Sequence, residues 1–118
     1  MKTFDDGDDR IIGVAWTTKG KINLTISMWK DFNYNLTFHR IGGNPAIEYN
    51  DGTKVWYVNG KKHRTNGPAV IKSNGLMYWF INGIKISNII IDQWLEENQI
   101  TWPFSNENEL AFKLRFIE

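Results

Sequence analysis

A stretch of residues repeats itself between His39 and Ser87, and this constrains the fold more tightly than anything else in the chain. Pro45-Ala46-Ile47-Glu48-Tyr49-Asn50-Asp51-Gly52, then Val55-Trp56-Tyr57-Val58-Asn59-Gly60, returns as Pro68-Ala69-Val70-Ile71-Lys72-Ser73-Asn74-Gly75, then Tyr78-Trp79-Phe80-Ile81-Asn82-Gly83. Pro45 and Pro68, Gly52 and Gly75, Trp56 and Trp79, and Gly60 and Gly83 all stand 23 positions apart. A fixed period of this size marks one small supersecondary unit used more than once, each copy burying its apolar face against the next.

The unit reads as β-hairpins. Asn59-Gly60 and Asn82-Gly83 sit between apolar or β-forming residues and predict two-residue type I′ turns, which need positive φ at both central positions. Asn50-Asp51-Gly52 and Ser73-Asn74-Gly75 suit longer hairpin loops. Between the turns, Ala46–Tyr49, Thr53–Val58, Ala69–Lys72 and Leu76–Ile81 are rich in β-branched and aromatic residues and predict short strands. Pro45 and Pro68 open their strands, where a missing N–H costs least. Adjacent strand residues point to opposite faces, so Trp56 and Trp79 form one ladder, and Tyr57 and Phe80 another. The repetition alone leaves open which ladder faces solvent.

The pattern Trp-x-x-Asn-Gly-x-x-His-Arg-x-x-Gly-Pro-Ala, carried by Trp56, Asn59, Gly60, His63, Arg64, Gly67, Pro68 and Ala69, resembles a divergent membrane occupation and recognition nexus (MORN) repeat. It is also similar to small proteins of phages and bacteria that share the His-Arg/Gly-Pro-Ala signature. The resemblance spans residues 39–87 and implies a β-hairpin scaffold with a binding role, without implying a particular partner. His39-Arg40 opens one unit and His63-Arg64 the next, whereas Ile86-Ser87 stands where a third pair would fall. The first unit also carries an extra residue, Ile41-Gly42-Gly43-Asn44 against Thr65-Asn66-Gly67.

The flanks read differently. Ile11–Trp16 and Ile22–Trp29 surround Thr17-Thr18-Lys19-Gly20-Lys21, and Ile22, Leu24, Ile26 and Met28 alternate with polar residues, predicting an N-terminal hairpin. Trp16–Lys21 faintly echoes Trp56–Lys61, as a decayed first unit would. Asp5-Asp6-Gly7-Asp8-Asp9 lacks the distant bidentate Glu of a calcium loop and reads as a solvated turn. Lys30–Asn35 is a polar connection. After Ser87 the spacing becomes helical: Asn88–Asn98, capped by Ser87 or Asn88, would present Ile90, Ile91, Trp94 and Leu95 to the end of the sheet. Thr101-Trp102-Pro103-Phe104 is a stop with two bulky anchors. In the last segment a capping box from Asn106 to Glu109, and a stripe of Leu110, Leu114 and Ile117, favour a short helix. Leu110, Phe112, Leu114 and Phe116 also alternate as in a strand. The expectation is one mainly β (α+β) domain: an N-terminal hairpin region (1–38), two MORN-like repeats in an antiparallel meander (39–87) and a helical capping segment (88–118).

At 118 residues the chain can bury only a modest core, and its six tryptophans must supply much of it. It has no cysteine, which excludes disulfides and thiolate metal sites. No signal-like segment and no apolar run of membrane-spanning length is visible, which predicts a cytoplasmic protein without membrane insertion. The net charge of +1 hides an asymmetry. Gly52–Ile86 carries Lys54, Lys61, Lys62, Arg64, Lys72 and Lys85 with no acidic residue, whereas Ser87–Glu118 carries six acidic residues against Lys113 and Arg115, a balance of −4. The two halves either complement each other internally, the favoured reading, or leave a basic surface for an anionic partner.

The two histidines, His39 and His63, raise the one catalytic alternative, acid–base chemistry on a phosphodiester with Arg64 or Lys62 as anion stabiliser. They stand at equivalent places in successive units, however, where a shared structural task is the simpler reading: each imidazole bonds a neighbouring turn, and the following Arg pairs with a carboxylate or a backbone carbonyl. No site checklist is otherwise met, so no enzyme, metal or cofactor is expected. Lysines interleaved with Trp56, Tyr57 and Tyr78 suit a single-strand nucleic-acid platform, which is the second reading. The leading one is a non-enzymatic protein-interaction module, phage-encoded and acting on a host protein, with Tyr57, Lys61, Lys62, His63, Arg64, Tyr78 and Phe80 as binding residues. Lipid-headgroup binding is a third. A monomer or an edge-paired homodimer is compatible with the exposed last strands.

Overall fold

The computed structural model describes residues 10–30 and 36–117. The acidic turn at 5–9 and most of the connection at 30–35 lie outside the described residues. Nine short strands and three helices follow in order: β1 (Ile11–Thr17), β2 (Gly20–Thr25), α1 (Ile26–Lys30), β3 (Ile47–Tyr49), β4 (Lys54–Val55), β5 (Tyr57–Val58), β6 (Lys61–Lys62), β7 (Val70–Ile71), β8 (Met77–Ile81), β9 (Ile84–Ile86), α2 (Asn88–Glu97) and α3 (Asn106–Phe116). Seven strands form one antiparallel sheet in the order β2-β1-β3-β4-β7-β8-β9, and β5 and β6 make a separate hairpin. The expected mainly β meander with C-terminal helices is the observed fold.

The hydrogen bonds recur with the sequence. Ala46 N–H donates to Val55 O at 2.9 Å and Ala69 N–H to Tyr78 O at 2.9 Å. At the loops, Gly52 N–H donates to Tyr49 O and Gly75 N–H to Lys72 O. Asn59 and Asn82 both take φ of 51°, followed by Gly60 at 82° and Gly83 at 84°, which are the two positive values a type I′ turn demands. The predicted strand Thr53–Val58 is broken at Trp56: Lys54–Val55 belongs to the main sheet and Tyr57–Val58 to the second hairpin.

Strand register sorts the side chains onto two faces. Ala15, Ile47, Val55, Val70 and Tyr78 share one face through successive cross-strand pairs. With Leu24 they form a first core cluster, against which Tyr57, Tyr78 and Phe80 pack half-buried. Trp79 and Ile86 pair on the opposite face, where Trp79, Ile81, Ile91, Trp94 and Phe112 make a second cluster beneath α2 and α3. Trp56 is 7% and Trp79 5% exposed, so the tryptophan ladder is the buried one. Large aromatic rings supply the apolar area that strands of two or three residues cannot.

Three local expectations are corrected. The alternation through Met28 predicts strand, yet the chain turns helical at Ile26, because Thr25 Oγ1 accepts the Met28 N–H at 3.3 Å and acts as an N-cap. The last helix is capped by Ser105, whose Oγ accepts from Asn108 N at 3.1 Å, rather than by Asn106, so the Asn106–Glu109 capping box does not form. Its buried side carries Phe112, whereas Leu110 and Leu114 are exposed. In α2 the expected cap is Ser87, which accepts from Ile89 N–H, and Ile91 and Trp94 are buried; Ile90 instead points largely outward at 43% exposure.

Candidate functional site

The seven residues singled out from the sequence divide into two sets by direction. His63 and Arg64 turn inward. His63 Nδ1 accepts the Asn82 N–H at 3.0 Å, and His39 Nδ1 accepts the Asn59 N–H at 2.9 Å. Each imidazole thus holds the Asn of the following type I′ turn. Arg64 donates from Nη1 to Pro68 O at 3.0 Å and from Nε to Asn66 Oδ1 at 2.9 Å, and Arg40 likewise donates from Nη1 to Pro45 O at 3.0 Å. Both guanidiniums sit over a tryptophan ring. Arg40 Cζ is 3.5 Å from the Trp16 ring centroid and Arg64 Cζ is 3.8 Å from that of Trp56. The Arg40–Trp16 contact thus matches the Arg64–Trp56 contact in geometry. At Trp79 no arginine follows. Phe104 and Phe112 occupy the region instead, with ring centroids both 5.7 Å away.

Desolvation depresses both inward groups. Burial holds the His63 imidazole below the ordinary histidine value, which favours the neutral ring its hydrogen bond requires. Burial brings Arg64 down to about 10, opposed by the nearby Glu109 carboxylate, so the guanidinium stays charged at neutral pH. Glu109 accepts from Thr65 Oγ1 at 2.5 Å and lies 3.7 Å from Lys113 Nζ. A shallow groove of about 320 Å³ lies here, between the 40–44 and 63–66 loops, with Trp56 and Glu109 in its lining. Its polar groups are largely taken up by one another, and it does not bring nucleophile, base and oxyanion donor together.

The second set lies on the face opposite Trp79, its rings half-buried against the first core cluster. Tyr78 and Phe80 point to the same side of β8, about 7 Å apart by strand geometry. Lys85 Nζ lies 4.6 Å and Lys72 Nζ 6.0 Å from the Tyr78 ring centroid, and Lys62 Nζ lies 5.0 Å from that of Phe80. Tyr57 pairs with Lys62 across the β5–β6 hairpin and packs on Phe38 with centroids 5.3 Å apart. Burial raises the Tyr57 phenol above its ordinary value, so its hydroxyl is a neutral donor at any physiological pH. Lys61 is exposed at the turn, its stem lying near Gly83.

Among the described residues, Lys54, Lys61, Lys62, Lys72 and Lys85 have no carboxylate within ion-pair distance; the ion pairs there are Arg40–Glu48 and Glu109–Lys113. The expected internal complementarity therefore reduces to one place, Glu109 beside Arg64 and Thr65. The sequence reading set Lys72 among the lysines beside Trp56, Tyr57 and Tyr78 but not among the binding residues, and it missed Lys85 on the aromatic face. The 23-residue register carries the signal for Lys72, since it follows Val70 by two positions on the same side of the sheet. Lys85 follows from the two-residue turn, which sets it opposite Phe80. Among the described residues no group of His, Asp and Glu is placed to hold a metal ion, and no helix is long and apolar enough to cross a membrane.

Comparison with known proteins finds no matching family model, no matching curated protein and no matching solved structure.

Proposed function

We propose that this chain is a non-enzymatic protein-interaction module of the MORN-like hairpin-repeat kind, docking through the face of Tyr78 and Phe80. The observation that supports this reading best is the unpaired lysine set Lys62, Lys72 and Lys85 over two half-buried aromatic rings. Aromatic anchors rimmed by adaptable polar groups are the usual make-up of a protein-binding patch. His63 and Arg64, which the repetition had grouped with this surface, belong on this reading to the scaffold. The setting suggested by the resemblance, a phage or bacterial protein acting on a cytoplasmic host protein, is part of the same proposal.

Nucleic-acid binding is the second reading, because lysines beside aromatic rings also suit a single strand. Capture from bacterial lysate with tagged protein, with and without nuclease, separates the two. The interaction module predicts a retained protein that survives nuclease and is lost with Lys62→Glu/Lys72→Glu/Lys85→Glu. Retention that vanishes with nuclease contradicts it, as does equal retention by the triple variant.

A further inference from the structure

Resting on the docking surface just proposed, we infer that its partner is an acidic segment of another protein interrupted by aromatic or large apolar side chains. Charge gives the first half of the inference. Six cations and no anion lie between Gly52 and Ile86, and the described acidic residues of the C-terminal segment form no ion pair with the lysines of this block. Glu109, on α3, is held by Thr65 and Lys113 instead. Asp92, Glu96 and Glu97 are exposed on α2, which packs at the sheet end on the tryptophan side. Among the described residues no carboxylate stands opposite Lys62, Lys72 and Lys85, and a set of carboxylates is the complement they call for.

The rings give the second half. Lys62, Lys72 and Lys85 place their ammonium groups 4.6–6.0 Å from the Tyr78 and Phe80 centroids, so these solvent-accessible cations lean over the aromatic surface. Such a contact at an exposed site is weak, and a carboxylate offers an ammonium a stronger partner. Carboxylates arriving at the rim draw the lysines outward and uncover Tyr78 and Phe80 for an apolar side chain. Long flexible stems make this exchange cheap and keep the apolar surface covered in the free protein. A purely acidic segment satisfies only the lysines, and a purely apolar one leaves them to be desolvated without partners. The sheet geometry also sets the length: the two rings are two strand positions apart, so a short extended segment with apolar residues at alternate positions matches both.

A single nucleic-acid strand would meet the same lysines with phosphates and the same rings with bases, so an oligonucleotide is the competing probe.

Fluorescence anisotropy of the full chain at low salt tests the inference. The probes are a labelled peptide of glutamates interrupted by two phenylalanines, an all-glutamate peptide of equal length, and a labelled oligothymidylate. The glutamate–phenylalanine peptide is expected to bind most tightly, and to lose about tenfold or more with Lys62→Gln/Lys72→Gln/Lys85→Gln, whose fold is checked by circular dichroism. Raising the salt to about 0.5 M should weaken it further. Tighter binding of the oligothymidylate, equal binding of both peptides, or an unchanged affinity in the triple variant each overturns the inference. Failure here with a lysine-dependent protein still captured from lysate means the module stands and its partner has other chemistry. Failure in both experiments removes the module itself.

Discussion

At His63 the ring nitrogen Nδ1 accepts the amide proton of Asn82, so the fold selects the neutral imidazole. Burial holds its pKa below the ordinary 6.5. Between the depressed value and 6.5 the unfolded chain binds a proton that the folded chain does not. This contribution to stability is therefore complete above pH 6.5 and is lost as the pH falls through the folded value. Urea denaturation in steps from about pH 8 to about pH 5 should show that decline. In His63→Ala its slope should shrink, with a loss of about 0.5–1.5 kcal/mol at neutral pH from the missing hydrogen bond to the Asn82 amide. An undiminished slope would place the titration elsewhere. Gly67 is constrained in another way: an added Cβ would collide with Trp102 Nε1 and crowd the Arg64 guanidinium. Gly67→Ala should destabilise by about 1–3 kcal/mol, read as a lower urea midpoint with an unchanged slope. Only the first of these roles was legible in advance. Histidines at equivalent repeat positions announced a shared structural task, but nothing in the sequence pairs Gly67 with a tryptophan 35 positions later, because that contact depends on how the cap folds back.

Among the elements, the type I′ turns were the most legible, since Asn-Gly leaves few alternatives, and both take the expected positive φ values. The strands were legible in place but not in extent: bending at Trp56 splits one predicted strand between two sheets. The sequence favoured a helix over residues 106–116 without excluding a strand, because Leu110, Leu114 and Ile117 fit one helical face while Leu110, Phe112, Leu114 and Phe116 also alternate. Tertiary packing decides it. Phe112 sits 4.9 Å from Phe116 and 5.9 Å from Trp94 by ring centroids, and only a helix brings these rings together over Trp79. Phe112→Ala should therefore cost about 3–5 kcal/mol and expose Trp79 and Trp94, seen as a red shift in tryptophan emission. A variant with native emission and stability would mean that α3 does not seal the sheet. Lys85 on the last strand, β9, serves the same end, since a charged residue on an edge strand discourages pairing with another chain.

For the molecule as a whole, the cations fall into two populations that the sequence mixes. Arg40 and Arg64 are folded in, each stacked on a tryptophan and bonded to the carbonyl of the proline that opens the next strand. Lys62, Lys72 and Lys85 stay outside, over Tyr78 and Phe80. Composition showed the basic block but not this division, because inward and outward are properties of register and of the loops, not of charge. The division carries both functional proposals, for it separates what holds the scaffold from what is left for a partner. Chemical denaturation of Arg64→Ala beside Lys62→Gln/Lys72→Gln/Lys85→Gln tests it most directly. The arginine variant loses a stacked, partly buried guanidinium and its hydrogen bonds, and should fall by about 3 kcal/mol. The triple lysine variant, losing only exposed contacts, should fall by no more than about 1.5 kcal/mol. The reverse order, with the lysine variant the less stable of the two, would contradict the account.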